Sequence, residues 1–247
     1  MDKKVVIVLF LCALAISSII SIDVAIARTD EQIKLPEPEI EGKMSVEEAI
    51  KGRRSERGFT DTPLTLKQLS QILWAAQGIT GTRGKRAAPS AGATYPIDLY
   101  IVVGERGVKG MEAGIYHYIP KGHQIERVLS GDRRIPLARA SFRQMFISDA
   151  PISIVITGEY ERTMARYWER GRRYVHMEAG HVGENIYLQV ESLGLGTVAV
   201  GAFHDDEVSG GRYWRSMDFT LLTPKHGVIV VEINPLTSLK RSLEEKR

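Results

Sequence analysis

The organisation of the chain is clearest in Tyr174–Phe203, YVHMEAGHVGENIYLQVESLGLGTVAVGAF. Apolar residues recur there at steps of three and four, which predicts a helix with the inner stripe Val175, Ala179, Val182, Ile186, Val190 and Leu193. A second stripe at the same spacing is polar: Glu178, His181, Asn185, Gln189 and Ser192. Most other positions are apolar or glycine, so we expect a helix buried round most of its girth, with Gly180 and Gly183 letting another backbone come close. Gly194 and Gly196 end the helix, and TVAVGAF predicts a short buried strand.

The composition is that of an ordinary globular protein. The 247 residues are 43% hydrophobic and 26% charged, which argues against wholesale disorder and allows one domain with a sizeable core or two small ones. A formal net charge of +3 is too small to indicate a nucleic-acid partner. Cys12 is the single cysteine, so the chain after it has no disulfide, thiol nucleophile or thiolate metal ligand.

The N-terminus has the layout of a secretory signal peptide, predicted over residues 1–27. Lys3 and Lys4 precede an apolar run over residues 5–22, and Ala25-Ile26-Ala27 is a small-x-small cleavage pattern. The run is also just long enough for a membrane span, so an uncleaved membrane anchor is the alternative. In both cases the lysines favour an extracytoplasmic domain, whereas a misassigned start codon would leave the protein cytoplasmic. Residues 28–44, with prolines among charges, predict an extended linker.

A basic segment follows the first predicted helix of the body. Ser45 and Glu48 form a capping-box pattern for the helix Val46–Lys51, and RRSERGF comes next over Arg53–Phe59. Three arginines and a serine suit a phosphate, because guanidinium binds phosphate bidentately and serine adds a hydroxyl donor. The alternative is a solvated basic helix end, which suits the helix dipole. On local chemistry alone the solvated helix end is the better interpretation.

A run of small residues, PSAGATYP over Pro89–Pro96, follows the second predicted helix, Leu66–Gln77, which Thr65 caps. Small residues let a backbone approach a flat ligand closely and point N–H groups at it. Tight packing within the protein explains the same residues equally well, so this pattern alone leaves both interpretations open.

The remaining body contains further strands and helices but no familiar catalytic motif. We predict the strands Leu99–Val103, Gly114–Ile119, Gln124–Leu129, Ile152–Thr157 and Gly227–Asn234, and the helices Leu137–Phe146 and Glu161–Arg170. Metalloprotease, serine-hydrolase, Walker and dinucleotide-binding motifs do not occur in a convincing context, and His181 and Glu184 lack a third metal ligand at suitable spacing. The residues alone therefore predict an α+β or α/β domain that binds a nucleotide-like ligand.

Three motifs together resemble the nitroreductase-like flavoprotein superfamily, in its SagB-type (thiazoline/oxazoline) dehydrogenase branch. They are RRSERGF, PSAGATYP and the long stretch Arg166–Phe203, whose order and separations fit that family from about Ser45 to Val208. The resemblance implies an α+β fold in which helices flank a central, mostly antiparallel sheet, with a long buried central helix. It also implies a homodimer with FMN at its interface, formed by a domain over residues 45–235 ahead of a polar tail, 236–247.

The resemblance also assigns roles to residues. Arg53 and Ser55 would hold the FMN phosphate and ribityl chain with Arg54 beside them, and Arg57 would lie near the flavin pyrimidine edge, where a cation stabilises reduced flavin. The isoalloxazine would be lined by the backbone of Pro89, Ser90, Ala91 and Gly92, and flavin N5 would be approached by the N–H groups of Val200 and Gly201. The implied cycle is ping-pong, with NAD(P)H reducing FMN before a small-molecule acceptor re-oxidises it. The reverse direction, from substrate to FMN to oxygen, is the alternative.

The chain departs from the family pattern in four respects. Azoline-oxidising members have Lys-Tyr where this chain has Arg166-Tyr167, the candidate catalytic pair. Arginine is not a base near neutral pH, which argues against peptide azoline oxidation, although Tyr167 remains a proton donor. Glu184 stands where the family usually has glutamine. The resemblance stops after Val208, as expected of a divergent or frameshifted C-terminus. An export signal is unusual for an enzyme that takes electrons from cytosolic NAD(P)H. The alternatives are a flavin-binding or scaffold homologue with lost or altered turnover, and a non-flavin extracytoplasmic binding protein.

Overall fold

The computed structural model describes residues 32–60, 62–208 and 228–235. The predicted signal peptide or anchor, residues 1–27, and the polar tail, residues 236–247, lie outside the described residues, so export stays a prediction. No helix in the described ranges is long and apolar enough to cross a membrane.

Seven strands of the described chain form one sheet, and every neighbouring pair in it is antiparallel. Their spatial order is β1-β4-β3-β2-β5-β7-β6. Their bounds are β1 Gln32–Lys34, β2 Ile97–Val103, β3 Gly114–Ile119, β4 Gln124–Ser130, β5 Ile152–Gly158, β6 Leu195–Val200 and β7 Val228–Pro235. The strands β3 and β4 form the predicted hairpin, and β7 enters between β5 and β6 although it comes last in sequence. The antiparallel sheet expected from the resemblance is confirmed.

The helices of the described residues are α1 Val46–Gly52, α2 Leu66–Gln77, α3 Arg134–Ala140, α4 Phe146–Asp149, α5 Tyr160–Tyr167, α6 Arg170–Ser192 and α7 Asp205–Val208. Both predicted N-caps are confirmed, because Ser45 with Glu48 and Thr65 with Gln68 form reciprocal capping boxes. Each box satisfies backbone N–H groups that a helix start otherwise leaves unpaired. A single 3-10 turn, Ala91–Ala93, interrupts the PSAGATYP segment.

Both faces of the sheet are covered, because side chains alternate between the faces along each strand. One core packs against α2 and α6, and it contains the β2 residues Ile97, Leu99, Ile101 and Val103. The other core packs against α3 and α4, and it contains Val102 from β2 and Val200 from the end of β6. The candidate site residue Val200 is therefore 3% exposed, on the face opposite α6.

The long helix α6 begins at Arg170, before the predicted start, and its inner stripe is buried as expected. Its polar stripe turns largely towards α2. Asn185 Nδ2 donates to the Ala75 carbonyl at 2.9 Å, and Gln189 Oε1 accepts from Gln71 Nε2 at 3.1 Å. Side-chain amides thus link the two helices at positions where the sequence pattern alone suggested no partner.

One side of α6 is exposed in a single copy of the chain. The prediction that the helix is buried around most of its circumference is therefore wrong for that single copy. The exposed residues are Arg172, Arg173, His176, Met177, Gly180, His181 and Glu184. A Cβ built on Gly180 or Gly183 would meet no atom of the described residues within 4 Å. The close approach that these glycines allow is therefore not used by any described segment of the same chain.

Two further predictions are corrected. The segment predicted as a linker contributes β1, which pairs with β4, and Leu35 after it is 2% exposed, so tertiary pairing overrides the proline-rich local signal. The helix predicted over Leu137–Phe146 is broken into α3 and α4. Phe142 and Arg143 between them have φ of 52° and 58°, a left-handed conformation that an α-helix does not contain.

Candidate active site

Tyr187 on α6 contacts two residues of the RRSERGF segment. Its hydroxyl lies 2.9 Å from Ser55 Oγ and accepts the Ala199 N–H at 2.8 Å, so one side chain joins the basic segment to β6. The Arg53 guanidinium lies over the Tyr187 ring, 5.1 Å from its centroid. A cation over an aromatic face is attracted by the ring quadrupole, which holds Arg53 on the same side as Ser55.

Backbone pairing fixes the same segment against β6. Ser55 forms an isolated parallel bridge with Thr197, and the Glu56 N–H donates to the Thr197 carbonyl at 2.8 Å. The strand then ends at Val200, and Gly201 is exposed with no described atom within 4 Å of its Cβ position. The segment therefore lies beside a backbone that a ligand can approach.

The other two arginines of the segment differ in their surroundings. Arg54 Nη1 donates to the carbonyls of Lys51 at 3.0 Å and Arg53 at 2.7 Å, at the C-terminal end of α1. This is the geometry of the helix-end interpretation, since cations there complement the helix dipole. Arg57 lies 5.8 Å from the centroid of the Phe146 ring, and Phe146 packs against the core that contains Val200.

The loop that contains Pro89, Ser90, Ala91 and Gly92 is tightly turned. Gly92, Ala93 and Tyr95 have φ of 60°, 55° and 46°, a left-handed conformation that costs a residue other than glycine about 1 kcal/mol or more. Ser90 holds the turn, because its Oγ accepts the Tyr95 N–H at 2.9 Å and its carbonyl accepts the Ala93 N–H at 3.1 Å. Strain of this kind persists only where surrounding contacts determine the backbone, and it is concentrated at functional sites.

Arg166 and Tyr167, at the end of α5, lie directly against this loop. Arg166 Nη1 donates to the Gly92 carbonyl at 3.1 Å. A Cβ on Gly92 would lie 2.5 Å from the Tyr167 hydroxyl and 3.0 Å from Arg166 Nη1. Position 92 therefore favours glycine for two reasons, its positive φ and the close approach of the candidate catalytic pair.

A buried carboxylate ties the loop to α6. Glu178 is 2% exposed, and it interacts with the Ser90 hydroxyl and with Gln77 Nε2 at 3.5 Å. Burial raises the pKa of Glu178, while the hydrogen bonds from Ser90 and Gln77 and the charge of Arg86 oppose that rise. Arg86 in turn donates to Gln77 Oε1 at 3.0 Å and stacks over the Tyr95 ring, and burial lowers the pKa of its guanidinium.

The predicted site residues thus fall into two groups, one partly held by Tyr187 and the other by Glu178, nine residues apart on α6. The first group comprises Arg53, Arg54, Ser55 and Arg57 of the RRSERGF segment and Val200 and Gly201 at the end of β6; of these, Arg53 and Ser55 contact Tyr187. The second group, around Glu178, is Pro89, Ser90, Ala91, Gly92, Arg166 and Tyr167. The nine residues from Glu178 to Tyr187 correspond to about 13 Å along the helix and about half a turn around it beyond two full turns. Tyr187 joins Arg53 and Ser55 to β6, and Gly92 meets Arg166 and Tyr167, but no hydrogen bond or ion pair joins the two groups within the described residues.

Two contributors were missed at the level of sequence. The helical spacing of Glu178 places it in the polar stripe, but the sequence pattern does not indicate that Ser90 is its partner. Tyr187 gave no signal, because a tyrosine on a largely apolar helix is indistinguishable by pattern from a core residue. Its role depends on a hydroxyl that reaches two separate segments.

The profile of the nitroreductase family matches residues 50–215, which include all the candidate site residues. The chain belongs to the nitroreductase family. A Methanocaldococcus jannaschii protein named as a nitroreductase is 50% identical over 177 residues, covering 72% of this chain and 87% of that protein. The family prediction made from the three motifs is confirmed.

Other likenesses support the fold, and one is to a toxin-processing protein. A crystal structure from Ralstonia eutropha, named as a nitroreductase, has a TM-score of 0.68 at 28% identity and covers 85% of this chain and 92% of that one. The trifolitoxin-processing protein TfxB of Rhizobium leguminosarum is 34% identical over 120 residues, 47% of this chain and 32% of that protein. A nitroreductase structure from Desulfovibrio desulfuricans in complex with FMN shares the fold, with a TM-score of 0.53 at 18% identity over 79% of this chain and 88% of that one.

Proposed function

We propose that this nitroreductase-family protein is an FMN-dependent oxidoreductase that exchanges hydride between flavin N5 and either NAD(P)H or an organic substrate, in a ping-pong cycle. The arrangement of Arg53 and Ser55 carries the proposal, since Tyr187 holds both beside the open end of β6. Bound FMN would supply the hydride chemistry, which no side chain at this site provides by itself.

The residues present fit such a cofactor. Arg53 has no ion pair with another described residue, and Ser55 adds a hydroxyl close to it, because both contact Tyr187. Guanidinium groups bind a phosphate bidentately, so this donor set suits the phosphate end of FMN. The open backbone at Gly201 suits the approach of a flat ring system.

The side chains at the proposed site would have separate roles. Arg53 and Ser55 would bind the phosphate and ribityl end, and Arg57 would place a positive charge near the pyrimidine edge, which favours the anionic form of a reduced ring. Arg166 is anchored on the Gly92 carbonyl, so it orients the loop. Tyr167, whose hydroxyl lies over Gly92, is the proton donor to substrate.

The site would be completed by a second copy of the chain in a homodimer. Within one chain no hydrogen bond or ion pair between described residues joins the two groups, whose anchors Tyr187 and Glu178 are nine residues apart on α6. The exposed side of α6 contains Gly180, and a Cβ there would meet no described atom within 4 Å, so this side suits a close helix contact. A two-fold axis near that side would bring the second group of one copy towards the first group of its partner.

The cofactor is tested on the full-length purified protein. We expect flavin absorbance as isolated or after addition of FMN, bleaching by NADH or NADPH without air, and recovery of the absorbance in air. Absence of any flavin uptake would overturn the proposal. Flavin that is bound but never bleached, by either nucleotide or by organic reductants, would support the alternative of a homologue that has lost turnover.

The shared site is tested by mixing two inactive variants, Arg53→Ala and Gly92→Leu. If each site uses Arg53 of one copy and Gly92 of the other, mixed dimers contain one intact site, and about a quarter of the sites recover on random pairing. A site formed within one chain predicts no recovery, and that result would refute the shared site. Refolding each variant alone provides the baseline.

A further inference from the structure

The corner between α3 and α4 contains two consecutive residues in the left-handed conformation. Phe142 and Arg143 have φ of 52° and 58°, and neither is glycine. This conformation is costly for other residues, and it persists only where surrounding contacts determine the backbone. Phe142 is 56% exposed, so its burial does not offset the cost. An outlier of this kind is a reason to look for a function in what the corner contacts.

The corner holds the loop that follows β6. Gln144 Nε2 donates to the Ala202 carbonyl at 3.0 Å and to the Ser141 carbonyl at 3.0 Å, so one side-chain amide joins the loop to the corner. Two residues further along the loop, the His204 N–H donates to the Ala140 carbonyl at 2.9 Å. The loop is therefore fixed at two successive points by a single corner.

Gly201 depends on these contacts for its position. It is exposed, it has no side chain, and a Cβ there would meet no described atom within 4 Å. A glycine backbone rotates more freely than that of any other residue. The fixed points on either side of it are Val200, which is 3% exposed, and the Ala202 carbonyl that Gln144 binds. Loss of the Gln144 contact would therefore free the backbone directly after Gly201.

The same corner also contacts Arg57. Phe146, the first residue of α4, lies two positions after Gln144, and its ring centroid is 5.8 Å from the Arg57 guanidinium. The Phe59 ring centroid lies 6.2 Å from that of Phe146. The ring quadrupole attracts the cation, and the second aromatic ring adds packing. The corner therefore joins the end of the RRSERGF segment to the loop after β6, at positions that Tyr187 does not contact.

We propose that Gln144 and Phe146 are positioning residues for the ring end of the proposed flavin site. Gln144 sets the direction of the Gly201 N–H, and Phe146 sets the place of the Arg57 charge. The inference rests on the proposed oxidoreductase function and adds to it two residues that lie outside the three motifs. The phosphate end is held separately by Tyr187, so different elements of the fold fix the two ends of the site.

The two contacts act on the reduced ring more than on the oxidised ring. The positive charge of Arg57 and a correctly aimed N–H of Gly201 both favour the ring after it has gained electrons. Once released from the corner, each group would spend less time in the favourable position. We therefore expect a lower reduction potential of bound FMN, rather than a general loss of FMN affinity.

The potential is measured on the full-length, FMN-loaded protein by equilibration with redox dyes, and the affinity for oxidised FMN by fluorescence titration. Gln144→Ala and Phe146→Leu are each expected to weaken the binding of reduced FMN roughly tenfold relative to oxidised FMN. For a two-electron couple that change lowers the potential by about 30 mV. The affinity for oxidised FMN should change less than about threefold, because the charge-assisted phosphate contacts are untouched.

Two controls separate positioning from general damage to the fold. Gln124→Ala is matched to Gln144→Ala, because the Gln124 amide also donates a hydrogen bond, to Gln32 Oε1 at 3.2 Å, but lies in β4, far from β6 in the sheet order. It should change neither the potential nor the affinity. Phe146→Leu introduced into the Arg57→Ala protein should produce no further shift, since the charge that Phe146 positions is already gone.

Hydrogen exchange in the FMN-free protein tests the Gln144 contact without the cofactor. Gln144→Ala should speed exchange of the backbone amides of residues 201–204 roughly tenfold, because local opening of this loop becomes easier. Gln124→Ala should leave that exchange unchanged.

Several results would overturn the inference. These are an unchanged potential in Gln144→Ala and Phe146→Leu, equal weakening of oxidised and reduced FMN, or exchange of residues 201–204 that does not respond to Gln144→Ala. A Phe146→Leu shift that persists without Arg57 would also overturn it, because Phe146 would then act by another route. Any of these results in a protein that binds FMN and is reduced leaves the oxidoreductase proposal intact. A protein that takes up no FMN would refute that proposal and this inference with it.

Discussion

Two regions of α6, around Tyr187 and around Glu178, organise their surroundings in opposite ways. Around Tyr187 the backbone of Ser55 and Glu56 pairs with β6, and the charged side chains Arg53 and Arg57 have no ion pair with another described residue. Around Glu178 the backbone from Gly92 to Tyr95 is strained, the polar groups are buried, and the arginines are engaged with protein atoms. The surroundings of Tyr187 thus present charged side chains on a backbone paired with β6, and the surroundings of Glu178 present a strained loop held by buried polar groups.

The difference indicates a division of labour. Uncommitted guanidinium groups bind an anion without prior rearrangement, so the Tyr187 end suits cofactor binding. A strained loop held by buried hydrogen bonds places backbone atoms accurately, so the Glu178 end suits the positioning of a ring. The proposal that two copies share a site follows from this contrast, because the functions complement each other and no hydrogen bond or ion pair between described residues joins the two groups within one chain.

Removal of Arg53 is expected to have the largest effect. Arg53→Ala should weaken FMN binding roughly 10- to 100-fold, because a charge-assisted contact to phosphate contributes about 1.5–3 kcal/mol. Quenching of flavin fluorescence on titration measures the affinity. Arg54→Ala is the matched control, and a change below about threefold is expected because its guanidinium caps carbonyls of α1. Equal losses in both variants would contradict the distinction between these arginines.

The rigidity of the second group is tested at Gly92. Gly92→Ala should lower the free energy of unfolding by about 1–3 kcal/mol, since the methyl group meets the Tyr167 hydroxyl and the positive φ disfavours alanine. Urea denaturation measures the loss. In the RRSERGF segment, Gly58→Ala should be neutral or slightly stabilising, because no described atom lies within 4 Å of its Cβ position. Similar losses at both glycines would remove the contrast between the groups.

The hydroxyl of Tyr187 has a smaller expected effect. Tyr187→Phe should lower the free energy of unfolding by about 1 kcal/mol, because the Ala199 N–H loses its acceptor and Ser55 loses its partner. We also expect FMN affinity to fall severalfold as Ser55 becomes less fixed. Tyr174→Phe is the control, since that hydroxyl has no hydrogen bond to another described residue. A Tyr187 variant as stable as this control would show that backbone pairing alone holds the segment.

The smallest expected effect is that of the buried carboxylate Glu178, and it is visible only in the pH dependence of the free energy of unfolding. The pKa of Glu178 is raised above its ordinary value of 4.5, so the folded state holds this proton more tightly than the unfolded state. Its contribution to stability is therefore fully present below pH 4.5 and is lost as pH rises through the folded pKa. Glu178→Gln should remove that loss from a series of urea denaturations between about pH 4 and 7. The exposed Glu161→Gln should retain the parental slope, and an unchanged slope in Glu178→Gln would contradict the assignment.

Much of the fold could be predicted from local pattern. The stripe from Val175 to Val190, the caps at Ser45 and Thr65 and the hairpin of β3 and β4 depend on residues that are neighbours in sequence, so periodicity and capping chemistry indicate them directly. The three motifs, in their order, also identified the family. The extent of β1 and the break at Phe142 were missed, because pairing with β4 and a left-handed backbone depend on distant packing.

The sequence by itself determined which residue types are available to the site: arginines and a serine in one motif, small residues in another, and a tyrosine after Arg166. Only the tertiary structure decided how they are grouped. Tyr187 joins Ser55 to Ala199, and Glu178 interacts with Ser90 from another position on the same helix. Local periodicity fixes the conformation of a helix, but the segments that meet each of its faces are selected by long-range packing, which no spacing within the chain encodes.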